Sequence, residues 1–297
     1  MKAVDSLERA KGVFPILALP ESWATLGNQK PGWRSCLNRC RKMQLMFLGS
    51  GSAFCITPDN FQSNMLLTSA AGRRLLIDCG TDIRFSLATL GMSYRDVDDI
   101  YISHLHADHV GGMEFMGFAS RFDPECAKPG LYISESIKDD LWNNCLAGGM
   151  SAVDDKRCTL SDFFSVHGIS EAGRFSWEGI EFSLVRADHV GGKEISMSSF
   201  GLFFTVGGKS VYLTTDTRFS PQRLDRYFRD ADLIWHDCET SANASGVHAR
   251  FEDLVGLPKA IRNKIWLYHY DDGPLPDPRE SGFCGFVKRG QVFDLPE

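Results

Sequence analysis

The chain has 297 residues, carries 32 Lys and Arg against 38 Asp and Glu, and is 43% hydrophobic. These values are typical of a globular protein that buries a sizeable core, and they exclude disordered, collagen-like and fibrous chains. The net charge is −6. Proteins that bind a long polyanion usually carry an excess of basic residues, so extended nucleic acid is not an expected partner.

The first 42 residues differ in charge from the remainder. They contain eight Lys or Arg and three acidic residues, a net charge of +5, which leaves −11 for the rest of the chain. Prolines and glycines interrupt this segment, so we expect a loosely ordered basic extension over 1–42, followed by one domain over 43–297. Cys36 and Cys40 stand four apart in it, but the second Cys or His pair of a zinc finger is missing.

From residue 43 onward, short apolar runs alternate with helical patterns. Strands are predicted at 43–49, 63–69, 73–79, 98–103, 130–134, 181–188, 199–206, 209–215, 231–236 and 264–269. Helices are predicted at 81–91, 221–230 and 248–257. Hairpins mixed with strand–helix–strand units indicate an α/β fold in which mixed sheets carry helices on their outer side.

The cysteines and the apolar runs bear on the cellular setting. Nine cysteines without paired spacing favour free thiols in a reducing compartment over a disulfide framework. No apolar stretch approaches the roughly 18 residues that a membrane-spanning helix requires. The apolar run at 13–20 contains two prolines, which is not typical of a secretory signal. We therefore expect a cytoplasmic protein without a membrane partner.

The strand predicted at 98–103 runs into a dense histidine motif, His104-Leu105-His106-Ala107-Asp108-His109. Side chains of an extended chain repeat every second residue, so His104 and His106 point the same way. A turn after them presents Asp108 and His109 to an adjacent volume. Four ligand-type side chains within six residues can serve two metal ions, whereas a helix cap needs only one polar residue. We interpret the motif as a metal site.

Later strands supply further candidates where they end, namely His189, Asp216 and His269. A single histidine is more often a surface or core residue than a ligand. Here, however, seven of the eight histidines lie in or beside the set, at 104, 106, 109, 189, 236, 248 and 269. This shared placement predicts that the strand ends converge on one metal site.

The pattern HxHxDH, a later His, an Asp after a strand and a terminal His resembles the metallo-β-lactamase superfamily, from about Met43 to the end. The resemblance implies a four-layer αβ/βα sandwich of two mixed β-sheets with helices on the outer faces. The ligands that it implies are His104, His106 and His189 for one metal, Asp108, His109 and His269 for the second, and Asp216 as the bridge. Asp78 resembles the superfamily's acid that orients a ligand.

Three segments resemble the ribonuclease Z-like phosphodiesterase branch: FLGSGSA at 47–53, TTDTR at 214–218 and HDCET at 236–240. In that branch a histidine at the place of His248 assists phosphodiester cleavage. The third segment would supply the supporting residues His236, Asp237 and Glu239, and either of its two acids could orient His248.

One feature of that branch is not expected in this chain. Only 27 residues separate His189 from Asp216, too few for the arm with which ribonuclease Z proteins grip tRNA. Relatives without the arm, which cleave cyclic nucleotides and other small phosphodiesters, are therefore the nearer comparison.

These observations predict a dinuclear metal-dependent hydrolase, most simply a phosphodiesterase that cleaves small or short phosphodiesters of cyclic-nucleotide or RNA type through a metal-bridging hydroxide. Ligands that are nitrogen and oxygen only suit Zn²⁺ first and also admit Mn²⁺ or Fe²⁺. Asp108 and His248 are the expected catalytic groups. Arg218 and Arg250 are expected to bind phosphate. The segment 113–180 and the acidic stretch after His269 are expected to shape the entrance.

Alternative hypotheses stay open from the sequence. A thioesterase or lactonase similar to glyoxalase II would use the same seven ligands. A tRNA 3′-end endonuclease fits less well because the arm is missing, and a non-catalytic metal-binding scaffold would need no intact set of ligands. A homodimer is compatible with all of these.

Overall fold

A computed structural model of the chain describes residues 42–191 and 196–295, which belong to one compact unit. The predicted basic extension, with Cys36 and Cys40, lies outside the described residues apart from Lys42. The seven cysteines that the structure describes form no disulfide with one another. Within the described ranges, no helix combines the length and the apolar character needed to cross a membrane.

The described residues form sixteen strands. They are β1 Gln44–Phe47, β2 Met65–Thr68, β3 Arg74–Ile77, β4 Asp99–Ile102, β5 Gly130–Ser134, β6 Ala152–Val153, β7 Lys156–Arg157, β8 Ser165–Ile169, β9 Arg174–Trp177, β10 Ile180–Gly191, β11 Ser196–Val206, β12 Lys209–Leu213, β13 Leu233–Asp237, β14 Ile265–Tyr268, β15 Gly285–Phe286 and β16 Val292–Asp294. All ten predicted strands are present.

The α-helices of the described residues are mostly short and lie between the strands. They are α1 Ile83–Thr89, α2 Ala107–Val110, α3 Met113–Arg121, α4 Glu135–Asp140, α5 Ala147–Met150, α6 Leu160–Phe163, α7 Pro221–Asp230, α8 Phe251–Val255 and α9 Lys259–Arg262. A 3₁₀ turn covers Tyr94–Asp96, and a π-helical segment covers Leu141–Leu146.

Two seven-stranded sheets carry the fold. The first sheet has the order β16-β1-β2-β3-β4-β5-β8, and the second has the order β15-β14-β13-β12-β11-β10-β9. In the first sheet β3, β4, β5 and β8 are parallel, and in the second β12, β13, β14 and β15 are parallel. Each sheet is therefore mixed, and each directs the carboxyl ends of its parallel strands to one edge.

The sheets pack face to face through apolar side chains. Phe47 of the first sheet lies 5.4 Å from Tyr268 and 6.2 Å from Trp235 of the second, measured between ring centroids. A separate apolar cluster packs Leu224 and Phe228 of α7 on the other face of the second sheet. The predicted four-layer sandwich of two mixed sheets with outer helices is confirmed.

Two predicted helices are shorter than their patterns: α1 covers Ile83–Thr89 of the predicted 81–91, and the second shortening bears on the site. Residues 248–257 were expected to be helical, but α8 covers only Phe251–Val255. The backbone before it is extended, because the amide of Glu239 donates to Ala249 and the amide of Phe251 donates to Glu239. This backbone pairing delays the start of the helix and places His248 in a loop.

Candidate metal centre

The histidine motif lies where β4 ends. His104 and His106 are in extended chain, and Nε2 of His104 is 3.1 Å from Nδ1 of His106. The helix α2 then begins at Ala107 and turns Asp108 and His109 to the same place, with His109 Nε2 3.0 Å from an Asp108 carboxylate oxygen. The side-chain alternation of the extended chain and the first turn of α2 thus bring the four side chains together.

His189 reaches the motif from the second sheet, and it lies within β10 rather than after it. The pairing with β11 shifts between Asp188 and Val190, so His189 occupies a β-bulge. A bulge re-aims the side chain that it carries. Its Nε2 lies 2.9 Å from Nδ1 of His106, while its Nδ1 faces the carbonyl oxygen of Val247 at 2.9 Å.

Asp216 and His269 complete the cluster, and left-handed backbone at strand ends helps to place them. His269 itself has φ of 63°, as Asp78 does, and Thr215 before Asp216 has φ of 53°. Such values are uncommon outside glycine and concentrate at functional sites. The chain therefore accepts backbone strain beside three of the site side chains.

The Asp216 carboxylate lies at the centre of the histidines. Its Oδ2 is 3.2 Å from His109 Nε2, 3.4 Å from His269 Nε2 and 3.6 Å from His104 Nε2. Burial alone would raise its pKa, but the imidazoles of His109 and His269 outweigh burial and hold the pKa well below its usual range. The carboxylate is the one group shared by both halves of the cluster.

The donor set suits two cations that share Asp216. One group comprises His104, His106, His189 and Asp216, and another comprises Asp108, His109, Asp216 and His269, with ligand atoms within 4.8 Å of one another in each group. Both Asp216 oxygens and His109 Nε2 are buried and lack a hydrogen-bond partner among the described residues. Unpaired buried groups of this kind are costly unless a cation binds them. The site is therefore built for two metal ions.

Asp78 contacts the nitrogen of His109 that faces away from the cluster. One of its carboxylate oxygens lies 2.8 Å from Nδ1 of His109, and the carboxylate accepts hydrogen bonds from the amide and hydroxyl of Ser103. A carboxylate on the far nitrogen sets the tautomer and the orientation of a metal-binding imidazole. The contact is the one that the resemblance implied for Asp78.

His248 is oriented by Asp237 and not by Glu239. Nδ1 of His248 lies 2.9 Å from an Asp237 oxygen, whereas Glu239 accepts from the amide of Ser245. Burial by itself lowers the pKa of His248, but the charge of Asp237 outweighs it and raises the pKa to about 10. Since Nδ1 faces Asp237, Nε2 is the nitrogen free for a substrate.

Three predicted site residues are not brought to the centre. His236 points to the opposite face of β13, where its ring lies 5.6 Å from that of Phe228. Arg218 donates to the carbonyl of Gly191, and Arg250 pairs with Glu252 at 3.4 Å. The strand alternation turns His236 away, and neither guanidinium lines the cavity described next.

A cavity of about 550 Å³ opens in front of the cluster, and we call it the metal-site cavity. Its wall includes His106, Asp108, Asp216, His248 and His269. Asp271, from the acidic stretch after His269, also lines it, but no residue of 113–180 does. The lining of this cavity therefore gives no support to the expectation that 113–180 shapes the entrance.

The loop 52–54 lines the metal-site cavity and was not predicted to do so. The sequence feature that could have indicated this placement is the glycine-rich segment FLGSGSA, in which a Cβ on Gly49 would come within 2.3 Å of the Phe61 carbonyl oxygen. Only glycine permits this close backbone approach. The glycines thus bring the following residues, Ser52, Ala53 and Phe54, to the cavity wall.

The chain matches one family of known proteins over most of its length. The model of a family described as "Anti-Pycsar protein Apyc1" matches residues 43–293. A protein of that name from Paenibacillus sp. (strain J14) is 32% identical over 257 residues, which cover 85% of this chain and 99% of that protein. One from Bacillus phage vB_BveM-Goe7 is 31% identical over 262 residues, which cover 85% and 98%.

Solved structures share the fold. The metallo-β-lactamase fold protein YhfI from Bacillus subtilis superposes with a TM-score of 0.64 at 16% identity, and the match covers 85% of this chain and 99% of YhfI. The short form of human tRNase Z gives a TM-score of 0.62 at 18% identity and covers 86% and 100%. The predicted metallo-β-lactamase fold is thereby confirmed.

Proposed function

The chain belongs to the family described as Anti-Pycsar protein Apyc1, a metal-dependent hydrolase, and we propose that it opens the ring of nucleoside cyclic monophosphates. In this reaction a water oxygen attacks phosphorus, one ester P–O bond breaks, and the released ribose oxygen takes a proton. The product is a linear nucleoside monophosphate.

The observation that carries the proposal is the size of the metal-site cavity together with its wall. A cavity of about 550 Å³ lies within the range of small-molecule sites, roughly 300–1,000 Å³. Its polar wall carries the site histidines and carboxylates. A compact phosphodiester fits such a space, whereas a folded RNA needs an additional surface to grip it.

The chain between His189 and Asp216 supports a small substrate. Apart from 192–195, which lie outside the described residues, it consists of the end of β10, the strands β11 and β12, and short turns. A tRNA-gripping arm has no room there. The acidic charge of the domain, −11 over 43–297, opposes binding of a long polyanion.

The metal ligands are proposed as the sequence implied them. His104, His106 and His189 would hold one cation, Asp108, His109 and His269 the other, and Asp216 would contact both. Two such cations supply an activated water and neutralise charge on the phosphate oxygens. An all-nitrogen and oxygen donor set of this kind suits Zn²⁺ first.

Two side chains of the protein are proposed to transfer protons or orient water beside the phosphodiester. Asp237 holds the His248 ring through Nδ1, and the ring lines the metal-site cavity, so Nε2 is placed to give a proton to the departing ribose oxygen. Asp108 lines the same cavity and would orient the attacking water through its carboxylate.

The test is hydrolysis of a substrate panel by the purified full chain, with metal content measured on the same sample. We expect about two metals per chain and turnover of 3′,5′-cyclic mononucleotides, lost on chelation and restored by Zn²⁺ or Mn²⁺. His106→Ala should lose activity by more than about 10³-fold. The matched control is His167→Ala, since His167 is the histidine of the chain that lies on β8 outside the cluster.

Other outcomes of the panel would overturn the proposal. Faster turnover of thioesters or lactones than of any phosphodiester would favour the thioesterase or lactonase hypothesis. Cleavage of tRNA precursor without cleavage of cyclic nucleotides would favour the endonuclease. A chain that binds two metals and hydrolyses no ester would be a scaffold.

A further inference from the structure

A short loop at the mouth of the metal-site cavity carries two large apolar side chains in solvent. We call residues 52–57 the rim loop. The exposed fraction is 87% for Phe54 and 89% for Ile56. Phe54 lines the metal-site cavity, whereas Ile56 does not. The two side chains are alike in exposure and differ in whether they face the site.

The rim loop is held in place by its base and by the stretch after β14. The amide of Ser52 donates to the Tyr270 carbonyl at 2.9 Å. One Asp272 oxygen accepts from the amides of Ile56 at 2.8 Å and Thr57 at 3.2 Å. These bonds fix both ends of the loop, so Phe54 is presented at the rim from a defined backbone.

The metal-site cavity is chemically divided. Its inner wall carries the histidines and carboxylates of the cluster, and its lining also includes the apolar side chains of Ala53, Phe54, Val190 and Val247. A nucleotide has the same division, because an anionic phosphodiester is joined to a flat base with two π-faces. Base–aromatic stacking tolerates any base, since every base presents a π-face.

On these contacts we propose that Phe54 is a substrate-positioning residue that stacks on the nucleobase of the cyclic nucleotide. The inference rests on the proposed function and adds to it the part of the site that recognises the nucleoside. It predicts binding that is strengthened by any base and not selective for one. The phosphodiester end would lie at the metal-ligand cluster, and the base end against the ring of Phe54.

The experiment compares kcat and KM of four full-chain variants on cyclic nucleotides with each base. Phe54→Ala and Phe54→Leu should raise KM by about tenfold, because both remove the π-face, while kcat stays near that of the wild type. Phe54→Trp should restore or lower KM. Ile56→Ala, the matched control, should leave both constants unchanged.

A substrate without a base separates stacking from damage to the site. Methyl ribofuranoside 3′,5′-cyclic phosphate carries a methoxyl group where the base would be, so wild type and Phe54→Ala should hydrolyse it equally. Equal losses on this substrate and on cyclic nucleotides would overturn the role of Phe54, because the variant would then have disturbed the metal ligands.

Two further results would also overturn the inference, and they are distinguishable from failure of the proposed function. If the wild type hydrolyses cyclic nucleotides and Phe54→Ala leaves KM unchanged, stacking is excluded while the proposed function stands. If Phe54→Ala and Ile56→Ala both dissociate a dimer in light scattering, the rim loop is a subunit contact. If the wild type hydrolyses no cyclic nucleotide, both proposals fail.

Discussion

Two cavities of nearly equal volume lie at opposite ends of the parallel strands of the first sheet. The metal-site cavity, about 550 Å³, meets the carboxyl end of β4, where the histidine motif begins. The other cavity, about 570 Å³, is lined by Asp99, Gly130 and Ser165, the first residues of β4, β5 and β8. We call it the amino-end cavity.

The cavities differ in how their charges are satisfied. In the amino-end cavity Asp99 pairs with Arg73 at 2.6 Å and accepts from the Trp177 indole at 2.8 Å, and Arg95 pairs with Asp123 at 2.6 Å. In the metal-site cavity the buried Asp216 carboxylate has no hydrogen-bond donor among the described residues. Charges paired in this way hold a fold together, whereas a buried carboxylate that is surrounded by imidazoles and accepts no hydrogen bond is typical of a ligand site.

The largest effect that this comparison predicts is on His248 of the metal-site cavity. His248→Ala should lower kcat on cyclic nucleotides by about 10²–10⁴-fold, the range for loss of a positioned proton donor. On bis(p-nitrophenyl) phosphate the loss should be much smaller, because nitrophenolate leaves without a proton. Equal losses of kcat on both substrates would contradict the proton-donor role and indicate a structural one.

A smaller effect is expected at Asp78, which supports the centre without facing the substrate. Asp78→Asn keeps the side-chain shape, and Asn tolerates the φ of 63°, but the charge on the far nitrogen of His109 is lost. Metal affinity or activity should fall about 10–100-fold, measured by competition with a chelator. Unchanged metal affinity would show that the contact has no influence on the ligand.

The smallest effect on activity is expected at the amino-end cavity. Asp99→Ala removes the acceptor of the buried Trp177 indole and should lower the free energy of unfolding by about 2 kcal/mol, measured in urea. The kcat per folded molecule should not change. A loss of kcat without a loss of stability would show that the two cavities are coupled, and it would contradict a purely structural role for the amino-end cavity.

The parts of the metal site that were predictable depend on residues close together in sequence or on the general geometry of sheets. The side chains of the motif His104–His109 are neighbours in sequence, so strand alternation and one helical turn are enough to foresee their convergence. Asp216 and His269 were foreseen because parallel strands of one sheet end at one edge. These inferences use only local periodicity and the general geometry of sheets.

Other features of the site depended on contacts between distant segments. The bulge at His189 arises from its pairing with β11, and Asp237 faces His248 because the chain after β13 folds back on it. The rim loop reaches the metal-site cavity through bonds to residues more than 200 positions away. No local pattern records such contacts.

The fold class, the strand-end motifs and the kind of chemistry could be read from the amino-acid sequence, because hydrophobic periodicity and ligand spacing are local properties. Tertiary structure decided the remainder. It directs His236 toward the outer helices, and it pairs Arg218 and Arg250 with groups outside the site. It also leaves Phe54 exposed at the mouth of the metal-site cavity. The physical reason is that side-chain direction and pairing at one residue depend on segments far along the chain.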